Sequence, residues 1–290
     1  MIEYDNKAWF KHIFVWRGSV LKGTLIRGLI FVGWTAMITF FFENNIIPKI
    51  AKIDMVVFNI VGLALGLLLV FRTNTSYDRW WEGRKLLGAN VNASRNIAFT
   101  LDNIIPKDDR DSRDDFLHLF VAFHFAVKEK LRDGVKPEHL PMLNNKYHEV
   151  VFNSHHAPNA IMKLLRSKIE LFRANNLDKN PEFLSLYTET NNLINNMGGM
   201  ERIRFTPVPF AYASHLQLFI LVYLLALPFG LNQNFGWMAL PVMGFITLIL
   251  IGINDIGVEI EDPFGDDPND LPVDNICENI QKNMNEILMK

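Results

Sequence analysis

The run from Met55 to Phe71, MVVFNIVGLALGLLLVF, most constrains what this chain can fold into. It holds 17 residues, no charge and one polar side chain, Asn59. That is close to the ~20 apolar residues that carry a helix across a bilayer. On a helix, Asn59, Leu63, Leu67 and Phe71 lie four apart and stack along one face. Beside them Gly62 and Gly66 form a small-xxx-small pair, the spacing that lets membrane helices approach closely. Several copies around an axis would turn the stripe into stacked apolar rings, the wall of a pore. The same pattern also suits an ordinary membrane helix packed inside one subunit.

Three further apolar segments run over about 20–42, 211–229 and 235–253. The class expected is all-α: an integral membrane protein with four transmembrane helices and a cytosolic helical bundle. Its parts are residues 1–71 (a membrane-surface helix and the first two spans), 72–208 (cytosolic helices), 209–254 (the last two spans) and 255–290 (an acidic C-terminal segment). The surface helix covers about 1–19, where Lys7, Lys11 and Arg17 alternate with aromatics. From Arg72 to Leu101 there is no proline, so the second span is expected to continue as one helix into water, ended by Pro106. Ser112 and Asp115 form a capping box for the next helix, and the acids from Asp108 are its solvated first turn. Helices follow at about 137–151, 158–174 and 181–197. Gly198-Gly199 and Thr206-Pro-Val-Pro209 mark the return to the membrane, the link GLNQN turns the last two spans into a hairpin, and an amphipathic helix covers 273–288. Arg and Lys flank the spans on the side of both termini and of 72–208, whereas the short links hold only Lys49 and Lys52. The positive-inside rule places the termini and 72–208 in the cytoplasm of a multi-pass inner-membrane protein.

Several classes of function are excluded or left without support. A net charge of −2 gives no field for nucleic acid. The single cysteine, Cys277, forbids an intrachain disulfide. No phosphate loop, dinucleotide fingerprint, HExxH, GxSxG or CxxC occurs, so no enzyme is expected. His118 and His124 are six apart and His155-His156 adjacent, neither a zinc spacing. His215, near the start of the third apolar segment, suits a structural role at the interface. The tail carries seven acids between Glu259 and Asp274. Asp262, Asp267 and Asp270, with Gly265 and Pro268 forcing a compact turn, form an acidic clasp that could take calcium. A solvated acidic turn that caps the last helix and pairs with basic residues is the other reading.

Four runs, Trp16-Arg-Gly-Ser19, Tyr77-Asp-Arg-Trp-Trp-Glu-Gly-Arg84, Thr206-Pro-Val-Pro-Phe-Ala-Tyr212 and Glu261-Asp-Pro-Phe-Gly-Asp-Asp-Pro-Asn-Asp-Leu-Pro272, resemble the bestrophins in order and spacing, most closely the bacterial branch. The resemblance covers roughly Trp16 to Asp274. It implies a homopentamer with one axial pore for small monovalent ions. Its apolar neck falls on Leu63, Leu67 and Phe71, with Asn59 at the entrance. Animal members pass chloride under calcium control, and bacterial members can favour cations. A second, cytosolic constriction maps near Pro181–Phe183, on Glu182, where the family's usual residue is apolar. Five carboxylates there would favour cations, and a cation-permeable channel is the expectation, with an anion channel and a non-conducting scaffold or membrane-bound enzyme as alternatives. Asp267 and Asp270 match the family's calcium clasp, though Pro268 and Asn269 interrupt its run of acids. No other cofactor is expected. The expected partners are the lipid bilayer, further copies of the chain and small monovalent ions.

Overall fold

The computed structural model describes residues 18–44, 46, 54–140, 142–176 and 179–289. The described residues are helical: α1 Leu21–Glu43, α2 Met55–Ile104, α3 Arg110–Lys130, α4 His148–Phe152, α5 Ala157–Ala174, α6 Asn180–Phe205, α7 Phe210–Phe235, α8 Ala239–Glu259 and α9 Val273–Met289. The surface helix expected over 1–19 lies almost entirely outside the described residues. By length and composition α1, α2 and the 180–259 stretch can each cross a bilayer. That last stretch contains the two apolar helices α7 and α8. α2 is a single helix of 50 residues that ends two residues before Pro106, whose ring excludes the helical conformation from the residue preceding it.

The chain divides into two compact units. The first comprises the described residues up to Trp80, together with Pro207–Pro263 and Asp267–Asn269. Within it α1 packs along α8 and α7. Phe58, Leu65 and Leu69 of α2 are buried with Leu216, Ile220 and Leu224 of α7 and Ile251 of α8. Gly230 of α7 lets α2 approach: a Cβ there would sit 2.6 Å from Phe58 Cε2. The GLNQN link is helical rather than a turn, since α7 runs on through it to Phe235, with the side-chain amides of Asn232 and Gln233 donating to the carbonyls of Pro228 and Phe229 at 2.9 and 3.3 Å. The chain reverses instead at Gly236, whose φ of +49° suits glycine.

The second unit holds Trp81–Thr206, Phe264–Asp266 and the chain from Asp270. Its α3 packs on α5 and α9 and buries Phe116, Phe120 and Phe123. α3 starts earlier than Ser112, because Asp109 is the cap and accepts from the Ser112 amide at 3.1 Å. The segment expected to be one helix over 137–151 is, in its described residues, two short 3₁₀ turns, the first opened by Pro137, and the five-residue α4. α6 runs straight through Gly198-Gly199. A Cβ at Gly199 would lie 2.8 Å from Leu86 Cδ1, so this glycine serves close helix approach.

A buried polar group sits in this unit. His124 Nε2 and Ser94 Oγ are 2.8 Å apart, Ser94 Oγ donates to the Asn90 carbonyl at 2.7 Å, and Asn196 donates to Asn90 Oδ1 at 2.9 Å. Burial pushes the His124 imidazole down to about 4. The unfolded chain takes up a proton below its ordinary value near 6.5, which the folded protein refuses until about 4. Stability therefore falls as pH drops through that window, by up to ~1.4 kcal/mol per pH unit from this group. His124→Gln is expected to flatten the melting-temperature profile between pH 7 and pH 4. An unchanged profile contradicts the assignment.

Candidate ion-conducting site

The first half of α2 has one face inside the first unit and a wide arc outside it. Leu63, Leu67 and Phe71 are 78, 57 and 55% exposed, and Asn59 is exposed beside them without a hydrogen bond among the described residues. Large apolar side chains in such a row need an apolar neighbour, whether lipid, another helix or a dry cavity. The two glycines behave differently. A Cβ at Gly62 would meet Tyr223 Oη of α7 at 2.9 Å, so Gly62 serves packing within the subunit, whereas Gly66 faces open space. Flanking the row, α2 and α7 leave an apolar groove of about 470 Å³ lined by Val57, Val61, Ala64, Phe219 and Val222 among others.

The row ends at a buried ion pair. Arg72 is 2% exposed and donates to Glu261 Oε2 at 3.0 Å. Glu261 Oε1 accepts the Val208 amide at 2.9 Å, and its carbonyl accepts Arg79 Nε at 3.1 Å. One step along, Trp80 Nε1 donates to the Asn269 carbonyl at 3.3 Å, and the Asn269 amide donates to Gly18 O and Glu259 Oε1, both at 2.8 Å. Four stretches far apart in the chain, around Gly18, Trp80, Val208 and Asn269, thus meet in one hydrogen-bonded knot inside the first unit. Hydrogen bonds to charged groups contribute about 1.5–3 kcal/mol each, so the knot fixes α2 one turn beyond Phe71. Nothing in the spacing of these residues announced their pairing.

In the second unit Asp270 is buried, and its carboxylate lies against Gly265, where a Cβ would come within 2.7 Å of Oδ2. Asp266 pairs with Arg132 at 2.9 Å. Asp274 accepts from Lys128 at 2.9 Å and from Arg132 at 2.8 Å. Burial alone would raise the Asp274 carboxyl, but those two cations bring it down to about 2. Asp262 and Asp267 belong to the first unit, and both have interaction partners. No group of three or more His, Cys, Asp or Glu that could hold a metal ion occurs among the described residues. Asp266 and Asp274, which flank the clasp residues, are thus engaged by arginine and lysine. Glu182 is half-buried in the first turn of α6, where a carboxylate complements the helix dipole. Two residues on, Leu184 is 67% exposed, an apolar side chain that sequence reasoning passed over.

One more feature of the second unit bears on ions. Arg84, Lys85 and Arg95 of α2 line an open groove of about 1060 Å³ with Trp81, Asn92 and, from α9, Asn279. Lys85 is paired with Glu82 at 2.5 Å, while Arg84 and Arg95 have no ion pair among the described residues.

Long apolar helices with exposed apolar faces are those of an integral membrane protein. The model for bacterial and fungal bestrophin proteins matches residues 1–286. The chain belongs to the bestrophin family and is a bestrophin-type ion channel, not an enzyme. It is 35% identical over 97% of its length to a voltage-dependent anion channel-forming protein of Nostoc, of which it covers 92%. It is 31% identical, with the same coverages, to the voltage-dependent anion channel-forming protein YneE of Escherichia coli K12. Among solved structures it resembles a point variant of a bacterial bestrophin homologue from Klebsiella pneumoniae, with a TM-score of 0.84, 28% identity, and 92% of this chain and 99% of that one covered.

Proposed function

We propose that this chain assembles as a ring of five around one axial pore in the cytoplasmic membrane and passes small monovalent anions such as chloride. The observation that carries the ring is the exposed arc of α2. Its apolar row, Leu63, Leu67 and Phe71, faces the axis as a neck with Asn59 at its mouth, and the adjacent apolar groove takes a neighbouring copy. Apolar rings bind no ion and gate by dewetting, so the neck sets the barrier. Charge bias puts both termini and 72–208 on the cytoplasmic side.

Anion preference is supported by Arg84 and Arg95, exposed cations that concentrate anions in the groove they line, and by the names of the relatives. The cation reading rests on Glu182, which the helix dipole accounts for without a pore. Leu184 is the better candidate for the cytosolic constriction, because it restores an apolar side chain there. Planar bilayers under a potassium chloride gradient test this. The reversal potential is expected near the chloride equilibrium value, moving toward zero in Arg84→Gln/Arg95→Gln and staying put in Glu182→Gln. A potential near that of potassium, shifted by Glu182→Gln, overturns the anion reading in favour of a cation channel.

A further inference from the structure

Where α1 and α7 begin and α8 ends, the first unit carries an open cavity of about 290 Å³ lined by Arg27, Phe31, Gln217, Leu224, Ile251 and Asn254 among others. It is amphipathic along its length. Arg27, Gln217 and Asn254 lie nearest the ends of their helices, while Phe31, Leu224 and Ile251 lie one or two turns deeper. Asn254 is 7% exposed, and its Oδ1 has no hydrogen-bond partner among the described residues. A buried acceptor left unpaired costs about 1–3 kcal/mol, so the native state has reason to supply a donor.

Arg27 is the second polar element. Its Nε donates to the Gly23 carbonyl at 3.2 Å and its two terminal nitrogens to Asp255, whose Oδ2 also accepts from Thr24 at 2.8 Å. A guanidinium carries five N–H groups, so two remain without a partner among the described residues. Arg27 and Asp255 together are neutral. Asp255 offsets the Arg27 charge without lining the cavity, so a ligand there meets N–H donors and a neutral acceptor but no net charge, which suits a zwitterion better than a net anion or cation.

We infer that this cavity is a binding site for a zwitterionic glycerophospholipid whose head carries N–H donors, the class of phosphatidylethanolamine. Its phosphodiester accepts from the free N–H groups of Arg27. Its ammonium donates to Asn254 Oδ1. Its glycerol and the first acyl carbons lie against Phe31, Leu224 and Ile251. The volume is at the lower end of small-molecule pockets (~300–1,000 Å³), so it takes the head and glycerol and leaves the chains in the bilayer. A choline head offers no N–H and leaves Asn254 unpaired.

Native mass spectrometry of the detergent-purified full-length assembly, titrated with phosphatidylethanolamine or phosphatidylcholine of identical acyl chains, tests this. The wild type is expected to retain the ethanolamine lipid about fivefold better, the discrimination that roughly one hydrogen bond supplies. Asn254→Leu is expected to abolish the preference without lowering the melting temperature. Leu221→Trp, at an exposed position beside the cavity, fills its apolar part and lowers retention of both lipids, which keeps the proposal testable if the Asn254 variant misfolds. Equal retention by the wild type, a preference that survives Asn254→Leu, or retention unaffected by Leu221→Trp overturns the proposal. So does absence of retained lipid, which would mean that water alone satisfies Asn254. None of these outcomes depends on which ion the channel passes.

Discussion

Leu63→Ala combined with Leu67→Ala is expected to raise ion flux through reconstituted protein by ~10-fold or more, the effect of lowering a barrier by about 1.4 kcal/mol. Both side chains are exposed in the single chain, so shortening them removes nothing from the core formed by Phe58, Leu65, Leu69 and α7. Shortening both layers of a five-membered ring would widen the neck and admit water where leucine excludes it. Liposome flux assays with concentration-matched protein read the change directly. A melting temperature near the wild-type value would show that the gain comes from the neck and not from loosened helices. Flux equal to wild type would remove Leu63 and Leu67 from the pathway.

The largest effect on folding is expected at Glu261. Arg72 is buried, and Glu261 is its ionic partner. Two Arg72 guanidinium nitrogens, Nε and Nη1, are buried without a hydrogen-bond partner among the described residues. Glu261→Gln leaves a guanidinium charge inside the first unit with nothing to neutralise it, a change that costs about 3–5 kcal/mol when one member of a buried pair is removed. That is a large share of the total stability of a typical domain, ~5–15 kcal/mol, so the variant should be recovered mostly as aggregate in size-exclusion chromatography. Arg72→Met added to Glu261→Gln removes the stranded charge and should restore much of the monodisperse peak. The Arg27–Asp255 pair gives the contrast. Its arginine is 48% exposed, and exposed pairs contribute about 0–1 kcal/mol, so Asp255→Asn should leave that peak nearly intact. Equal losses in Glu261→Gln and Asp255→Asn would mean that burial of the Arg72 pair is not what stabilises the exit of α2.

Hydropathy made the apolar helices legible, because a run such as Met55–Phe71 has few folded alternatives. The continuation of α2 to Ile104 was legible for the same kind of reason, as no proline interrupts it. Glycine misled twice. Gly198-Gly199 reads as a break, yet α6 passes through it because Leu86 needs the space a side chain would fill. Gly62 and Gly66 read as one close-packing pair, yet only Gly62 meets a neighbouring helix, at Tyr223 of its own chain. Local signals report what a backbone can do, and only tertiary packing decides which option is used. The exposed apolar row Leu63, Leu67 and Phe71 was visible as a period of four. The knot around Glu261 was not, because its members come from four separate stretches and no local pattern encodes which carboxylate meets which arginine. The acidic tail showed its charges but not their partners, Lys128 and Arg132, which lie more than a hundred residues earlier in the chain.

The central physical claim is that Leu67 of each copy faces a shared, ion-conducting axis. Leu67→Cys tests it with a charged methanethiosulfonate reagent applied during bilayer recording. The background is silent, since Cys277 is buried and its thiol is pushed up to about 12 by that burial. Current through Leu67→Cys channels should fall to the baseline on labelling and recover when a reducing agent removes the adduct. Current that persists after mass spectrometry shows every introduced thiol to be labelled would place this face of α2 away from the ion pathway.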